Sequence, residues 1–500
     1  MTSKGTSPSR SAALVAGAVT LLVSGLLRQG LGLLTLVVTA RLLTPEDFGV
    51  VAYFMIAVAF LEMLQRQISM SLIRIDAVTS EHFETALTMQ FIFGISAASL
   101  FWVAQPLIAG LGITALTQLA PTMSLMSIII AFRSPRFVLF ERNLQFGRAA
   151  AEETANRIIY SVVAIWLAWL WRDYWAIVVA TFVSQLARNV WTFSFAPMSI
   201  RLSLSRWRDS FSFSTWSMGA QIAQFFAKDM PQLVIGLTLG LADAGLFRLG
   251  NRITTLVTTQ FFAPMQRVIY PGLADVSRNT DRRQEAFVKL NSYMLAILLP
   301  ISVGIALIAE DVILAGVGYK WIVAAQVIWI LAPLKALETL QANVRAAVYV
   351  EGSTKVLFVR NIILLVIVCL FMRFGVNFDF FGAVIAAGAS SLAALFMTLV
   401  LARRFGTGGF FDPLLCGWRS FLSSAAMAIA VVAIGWLLET DSFSLQIFTL
   451  ILIKVLIGII AYVGIHFLLW TLAGKPDGFE SVVLSFLSRI RRYVAKRRAQ

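Results

Sequence analysis

The sequence predicts an all-α integral membrane protein of about fourteen transmembrane helices, and three observations carry that prediction. Hydrophobic residues make up 59% of the 500 and charged residues only 13%, with a mean hydropathy of +0.81. A soluble domain carries roughly 25% charge. The apolar residues fall in runs close to the ~20 that cross about 30 Å of hydrocarbon. These runs occupy about 12–40, 48–70, 84–108, 114–134, 154–171, 174–196, 210–240, 244–268, 287–309, 321–349, 356–374, 380–402, 418–438 and 444–473. Finally, the connections alternate in charge. With the N-terminus inside, the outer connections hold only Arg41, Arg172, Lys320 and Arg373, and the inner ones with the tail hold most of the 41 basic residues. That asymmetry orients the chain with both ends cytoplasmic.

The formal charge of +15 and pI near 10.3 are therefore topological and do not indicate nucleic acid. Lys4 and Arg10 precede an apolar stretch as in a signal peptide, but the stretch runs on past Arg28 to about Val38, which predicts an uncleaved first span. Cys369 in a span and Cys416 in a cytoplasmic loop predict no disulfide and no metal site, and no cofactor motif is present. The tail segment "SRIRRYVAKRR" suits a helix on anionic headgroups, or a plain topology signal.

An internal repeat divides the chain. Asp47-Phe-Gly-Val opens the second span and Asp243-Ala-Gly-Leu the eighth, 196 residues later; each puts an acid where a helix start favours it, with glycine two residues on. Phe60…Met63-Leu-Gln-Arg66 is echoed by Phe262…Met265-Gln-Arg267, and "ERNLQFGRAAAEETANRII" more loosely by "EGSTKVLFVRNII". The expected organisation is two six-helix pseudo-symmetric halves, 1–208 and 209–404, then an appended helix pair in 405–475 and a basic tail at 476–500. Parallel repeats of this kind belong to alternating-access transporters.

Three stretches carry a family resemblance: "TARLLTPEDFGVVAYF", "LFERNLQFGRAA" and "PMQRVIYPGLADV". They resemble the polysaccharide transporter family, Wzx-type flippases and exporters of the multidrug/oligosaccharidyl-lipid/polysaccharide exporter superfamily, and the likeness covers nearly the whole chain. The resemblance implies transfer of an undecaprenyl-pyrophosphate-linked oligosaccharide across the cytoplasmic (inner) membrane for exopolysaccharide, lipopolysaccharide or capsule assembly. Partner polymerase and chain-length proteins are implied with it. The sugar is left open.

Charges within spans are costly, about 2.5–3.5 kcal/mol at mid-bilayer on insertion scales, so they face water, pair or snorkel. Arg66, Arg188, Arg267 and Arg345 lie toward cytoplasmic helix ends and are expected to snorkel. Arg28 sits near the middle of span 1, and Lys228-Asp229 near the middle of span 7, where Pro231 frees a carbonyl and permits a kink. A wet cavity or a buried ion pair would explain them. Arg248 and Arg252, one turn apart, present two forked cations suited to phosphate oxygens. Lys335 and Glu338 are spaced i, i+3, and Glu62 and Arg66 i, i+4, as self-neutralising pairs or as binding groups. The expected lumen is cationic, with Arg28, Lys228, Arg248, Arg252 and Lys335 as substrate ligands. Asp229, Glu62 and Glu338 are candidates for coupling to H+ or Na+.

Competing classes fit less well. A drug or cation extruder of the same superfamily would need an acidic or aromatic cavity, and a membrane polymerase or ligase a large external loop with arginines and histidines. Here the outer loops are short and the only histidines are His82 and His466. No HExxH, P-loop or supported GxSxG is present, so no enzyme is expected.

Overall fold

The computed structural model describes residues 10–75, 77–110, 114–143, 145–208, 215–256, 280–350, 354–404, 409–438, 444–476, 478–481, 484, 485 and 488. Among them the regular structure is entirely helical. Fourteen long helices fall on the fourteen expected segments: α1 (Arg10–Leu42), α2 (Pro45–Ser71), α3 (Ser80–Gly110), α4 (Thr114–Ala131), α5 (Phe146–Trp171), α6 (Trp175–Phe195), α7 (Thr215–Thr238), α8 (241–256), α9 (Thr280–Leu307), α10 (Ala325–Val350), α11 (Thr354–Gly375), α12 (Asp379–Arg404), α13 (Trp418–Leu437) and α14 (Ser444–Leu472). By length and apolarity alone, eight stretches of the described residues suffice to cross a membrane, one of them spanning α11 and α12 together, and nine if the bent pair following α3 counts as one. The remainder of the expected eighth span, including Arg267 and "PMQRVIYPGLADV", lies outside the described residues, as does the tail from 489 on.

The chain forms two compact units, Met1–Arg248 and Leu249–Gln500. Within the first unit α7 packs on α2. The Tyr53 hydroxyl donates to the Leu233 carbonyl at 2.8 Å. Large aliphatic and aromatic residues on the outward faces, Val103, Phe374, Trp436 and Leu437 among them, are exposed, as lipid-facing positions are.

In the first unit, the start of α2 follows from four consecutive residues. Thr44 is the N-cap, Pro45 occupies the first turn without needing a donor, and Asp47 closes a capping box: its carboxylate accepts from the Thr44 backbone at 2.8 Å while the Thr44 hydroxyl accepts from the Asp47 N–H at 3.2 Å. Beyond it, Val50, Phe54, Val58 and Leu61 of α2 pack with Leu119, Met123 and Met126 of α4 and Val178 of α6.

The two repeated glycines have a steric reason. A Cβ on Gly49 would collide with the Leu241 carbonyl, and one on Gly245 with the Pro45 carbonyl. Positions 241 and 245 are 45 and 49 displaced by the repeat length of 196, so the contact is reciprocal. Only glycine permits backbones to approach so closely.

In the second unit, α9 and α10 are joined by Asn343, which donates to Asn291 at 2.7 Å inside a buried cluster of Leu290, Met294, Leu298 and Ala336. The pair α13 and α14 packs through Met427, Val431 and Tyr462, and the Tyr462 hydroxyl donates to the Ala296 carbonyl of α9 at 2.7 Å. Both cysteines are free thiols.

Candidate functional site

Helix α5 begins two turns before the expected segment 154–171; the extra turns carry Arg148, Glu152 and Glu153, and Arg157 follows within one turn. A charged stretch looks like a loop in a hydropathy profile. Here it is helix, because its charges are met by neighbouring helices.

Glu152 is the best buried of them, its side chain 2% exposed. It accepts from Arg188 Nε of α6 at 2.8 Å and stands 3.7 Å from Arg133, in the turn after α4. The same Arg188 donates from Nη1 to Glu62 of α2 at 2.9 Å, and the Gln185 amide, one turn earlier on α6, donates to the same Glu62 oxygen. With its amide oxygen turned to the guanidinium, Asn156 of α5 accepts from Arg188 Nη2 at 2.9 Å. Two carboxylates thus face two guanidiniums across α2, α5, α6 and the α4 turn, and the network is charge-balanced. Ion pairs in a low-dielectric interior are retained when further hydrogen bonds support them, and each of the three guanidinium nitrogens of Arg188 has an acceptor.

This corrects two expectations. Glu62 pairs with Arg188 and not with Arg66, four residues along its own helix. Arg188 does not snorkel; it is the centre of an interhelical network. In each case a distant helix supplies a better geometry than the local spacing.

Arg28, expected at a wet cavity or in an ion pair, forms the ion pair. Its guanidinium meets Glu153 of α5; the arginine side chain is 21% exposed and the glutamate 53%. One turn on, Gly32 of α1 lies against the guanidinium of Arg157, where a Cβ would meet Nη2 at 2.5 Å. Arg28 of α1 and Arg157 of α5 thus both lie at the contact of these two helices.

Lys228 and Asp229 lie near the middle of α7, which continues as one helix through Pro231. Lys228 is exposed, and among the described residues it forms no ion pair, with Asp229 or with any other carboxylate. Asp229 is half-buried and engaged. On α8, Arg248 is half-buried and Arg252 exposed.

In the second unit Lys335 closes the expected i, i+3 pair, its Nζ donating to both Glu338 oxygens at 2.9 Å. Lys454, within α14, reaches Asp311 at 2.6 Å. Arg360, near the start of α11, is buried against neutral acceptors: the Ala394 carbonyl at 3.1 Å, Thr398 at 3.0 Å, Asn361 at 3.0 Å and Gln341 at 3.1 Å. Arg419 of α13 donates to the buried Glu480 at 2.5 Å, and His466 of α14 stands 3.1 Å from the same oxygen.

The structure thus brings Glu62 into a network that sequence reasoning did not assemble, and adds Glu152, Glu153, Arg133 and Gln185 to it. The available signal was the adjacent pair Glu152-Glu153 ahead of a long apolar helix, two acids in a chain whose cations outnumber its acids.

Comparison with known proteins adds three findings. A family model described as "Polysaccharide biosynthesis protein" matches residues 38–326. Among curated relatives, the chain is 26% identical over 321 residues to the succinoglycan biosynthesis transport protein ExoT of Rhizobium meliloti (strain 1021), covering 62% of this chain and 64% of that one. It is 20% identical over 298 residues to the lipopolysaccharide biosynthesis protein WzxC of Escherichia coli (strain K12), covering 58% and 61%. The matches therefore span less than two thirds of these relatives. Among solved structures, the lipid II flippase MurJ in an inward closed conformation superposes with a TM-score of 0.72 at 13% identity, over 91% of this chain and 99% of that chain. That likeness shows the fold.

Proposed function

This chain belongs to the polysaccharide biosynthesis protein family, and on that premise we propose that it carries an undecaprenyl-pyrophosphate-linked oligosaccharide across the cytoplasmic membrane. It is a multi-pass membrane protein with the fold of a lipid-linked precursor flippase. The relatives' printed roles, in succinoglycan transport and lipopolysaccharide biosynthesis, support the class of cargo. Alternating access by lobes 1–208 and 209–404, with 405–475 appended and both termini cytoplasmic, fits the repeat and the distribution of basic residues. A polymerase and chain-length proteins would act on the delivered units.

The observation that carries the anionic part of the cargo is Lys228, an exposed cation near the middle of α7 that no carboxylate of the described residues neutralises. With Arg28, Arg248, Arg252 and Lys335 it forms the proposed substrate-binding set. Arg28 is held by a half-exposed glutamate, a partner it can exchange for phosphate oxygens at little desolvation cost. Moving charge across the membrane is worth about 2.3 kcal/mol per elementary charge per 100 mV, so an ion gradient can be coupled to transport. Asp229 is the leading candidate for H+ or Na+ coupling. Glu62 and Glu338 are further candidates whose carboxylates are already held by Arg188 and Lys335.

The test is polymer output in cells carrying Lys228→Ala or Arg28→Ala. Output is expected to stop while the protein stays in the membrane; wild-type output from both variants would overturn the binding set.

A further inference from the structure

Helix α7 carries three glutamines in line with Lys228. Gln221, Gln224, Lys228 and Gln232 follow one another at intervals of three, four and four residues, the spacing that puts side chains on one face of a helix. A helix clad in lipid keeps its outward face apolar. By contrast, α7 is not one of the eight stretches that suffice to cross a membrane by length and apolarity alone.

The fold itself commits one of the three amides. Gln232 is buried, and its amide donates to the Ala244 carbonyl of α8 at 3.0 Å. Gln221 and Gln224 are half-buried, and among the described residues their side chains make no hydrogen bond. An amide without a partner is costly beside hydrocarbon, so such residues face water or a polar ligand. Phe225 falls on the same face, one turn beyond Gln221 and one turn before Lys228. Its half-buried ring stands 5.4 Å from that of Phe60 on α2 and 5.8 Å from that of Phe226, and Phe60 and Phe226 are themselves 5.4 Å apart. Each ring of this trio is thus braced by the other two.

A primary amide donates and accepts at once, which is what sugar hydroxyls require. A phenyl ring presents a flat apolar surface with a negative face to the C–H bonds of a pyranose, and an ammonium is a compact point charge for a phosphate. From Gln221 to Lys228 the helix rises about 10 Å, comparable with one sugar ring joined to a phosphate. We propose that Gln221, Gln224 and Phe225 bind the first sugar of the cargo, a pyranose, while Lys228 holds the pyrophosphate to which it is attached. The proposal rests on the transport reading above, and it adds a contact that a cationic set alone lacks: one that distinguishes a sugar-bearing lipid from a bare lipid phosphate.

The full-length protein in phosphatidylcholine nanodiscs is titrated with undecaprenyl-pyrophosphoryl glucose and, separately, with undecaprenyl pyrophosphate, bound lipid being counted by native mass spectrometry. The wild-type chain is expected to hold the sugar-bearing lipid roughly 10- to 100-fold more tightly. Q221L/Q224L should lose most of that preference, whereas Lys228→Ala should weaken both lipids. Leucine suits a lipid-facing position, so a double variant that keeps the wild-type preference shows that this face meets lipid and overturns the sugar contact. Should Q221L/Q224L fail to reach the membrane, Phe225→Leu, which removes the ring and no polar group, carries the same comparison. Equal affinity of the wild-type chain for the two lipids, or equal losses for both in Q221L/Q224L, overturns sugar recognition and leaves the transport reading standing. A wild-type chain that binds neither lipid overturns the transport reading itself.

Discussion

The two compact units stitch their helices together with different chemistry. Between Met1 and Arg248, α2, α5 and α6 are joined by formal charges: Glu62, Glu152, Arg188 and Arg133. Among α9 to α12 of the second unit the corresponding interhelical bonds are neutral at one or both ends, as in Asn343 with Asn291, or Arg360 with Thr398, Gln341 and a backbone carbonyl. There the interhelical ion pairs of the described residues involve α13 or α14, through Arg419 with Glu480 and Lys454 with Asp311. The difference teaches where rearrangement is cheap. A neutral hydrogen bond contributes about 0.5–1.5 kcal/mol net and can be exchanged for another, whereas breaking a buried ion pair leaves a stranded charge that costs about 3–5 kcal/mol. The neutral Asn343–Asn291 contact of α10 and α9 can therefore be exchanged at lower cost than the charged links of α2, α5 and α6.

Glu152→Ala should produce the largest effect. It strips Arg188 and Arg133 of a carboxylate that is almost fully enclosed, and a loss of about 3–5 kcal/mol is expected. Thermal unfolding of the purified protein would show it as a large fall in midpoint. A change below about 1 kcal/mol would mean that water already reaches the network, and the contrast between the units would collapse.

Next in size are Gly49→Ala and Gly245→Ala. Each adds a methyl against a backbone carbonyl, which cannot rotate away as a flexible side chain would, so about 1–3 kcal/mol is expected from overpacking. Because the contact is reciprocal, the two substitutions should cost the same within error. Markedly unequal midpoints would show that the 196-residue repeat is a resemblance of sequence without an equivalence of packing.

How much of this was legible beforehand depends on the range of the interaction. All fourteen helices follow from apolar runs, a property of consecutive residues. The start of α2 is local too, since Thr44, Pro45 and Asp47 are a capping signal within four positions. So is the Lys335–Glu338 pair. Pairings between helices are not local. Spacing offered Glu62 a partner at Arg66, and the fold supplied Arg188, 126 residues away. For the same reason the first turns of α5 look like a loop: the polarity of Arg148, Glu152, Glu153 and Arg157 is visible in the sequence, but the partners that let three of them sit against other helices are not. Lys228 is visible in the sequence as a cation within an apolar run, and among the described residues no carboxylate pairs with it.

Arg360→Gln tests the second unit. The variant removes a buried cation whose acceptors can find other donors; Thr398 already donates to the Ala394 carbonyl at 2.7 Å without it. The expected loss is about 1 kcal/mol. A loss as large as that of Glu152→Ala would show that the charge on Arg360, and not its hydrogen bonds, holds α10, α11 and α12 together.

The smallest stability effect is expected at Lys335 and Glu338, and for that reason the pair separates structure from transport. Both residues lie on α10, so their ion pair joins no two helices, and a helical pair at this spacing is worth about 0.2–0.5 kcal/mol. Glu338→Gln should leave the unfolding midpoint almost unchanged while freeing the Lys335 ammonium from a carboxylate that occupies it through both oxygens. If Lys335 binds anionic cargo, the freed lysine should hold it more tightly, and Lys335→Met should reduce polymer output with the same near-zero change in stability. Unaltered output in Lys335→Met would remove Lys335 from the binding set and leave the pair as a local neutralisation within one helix.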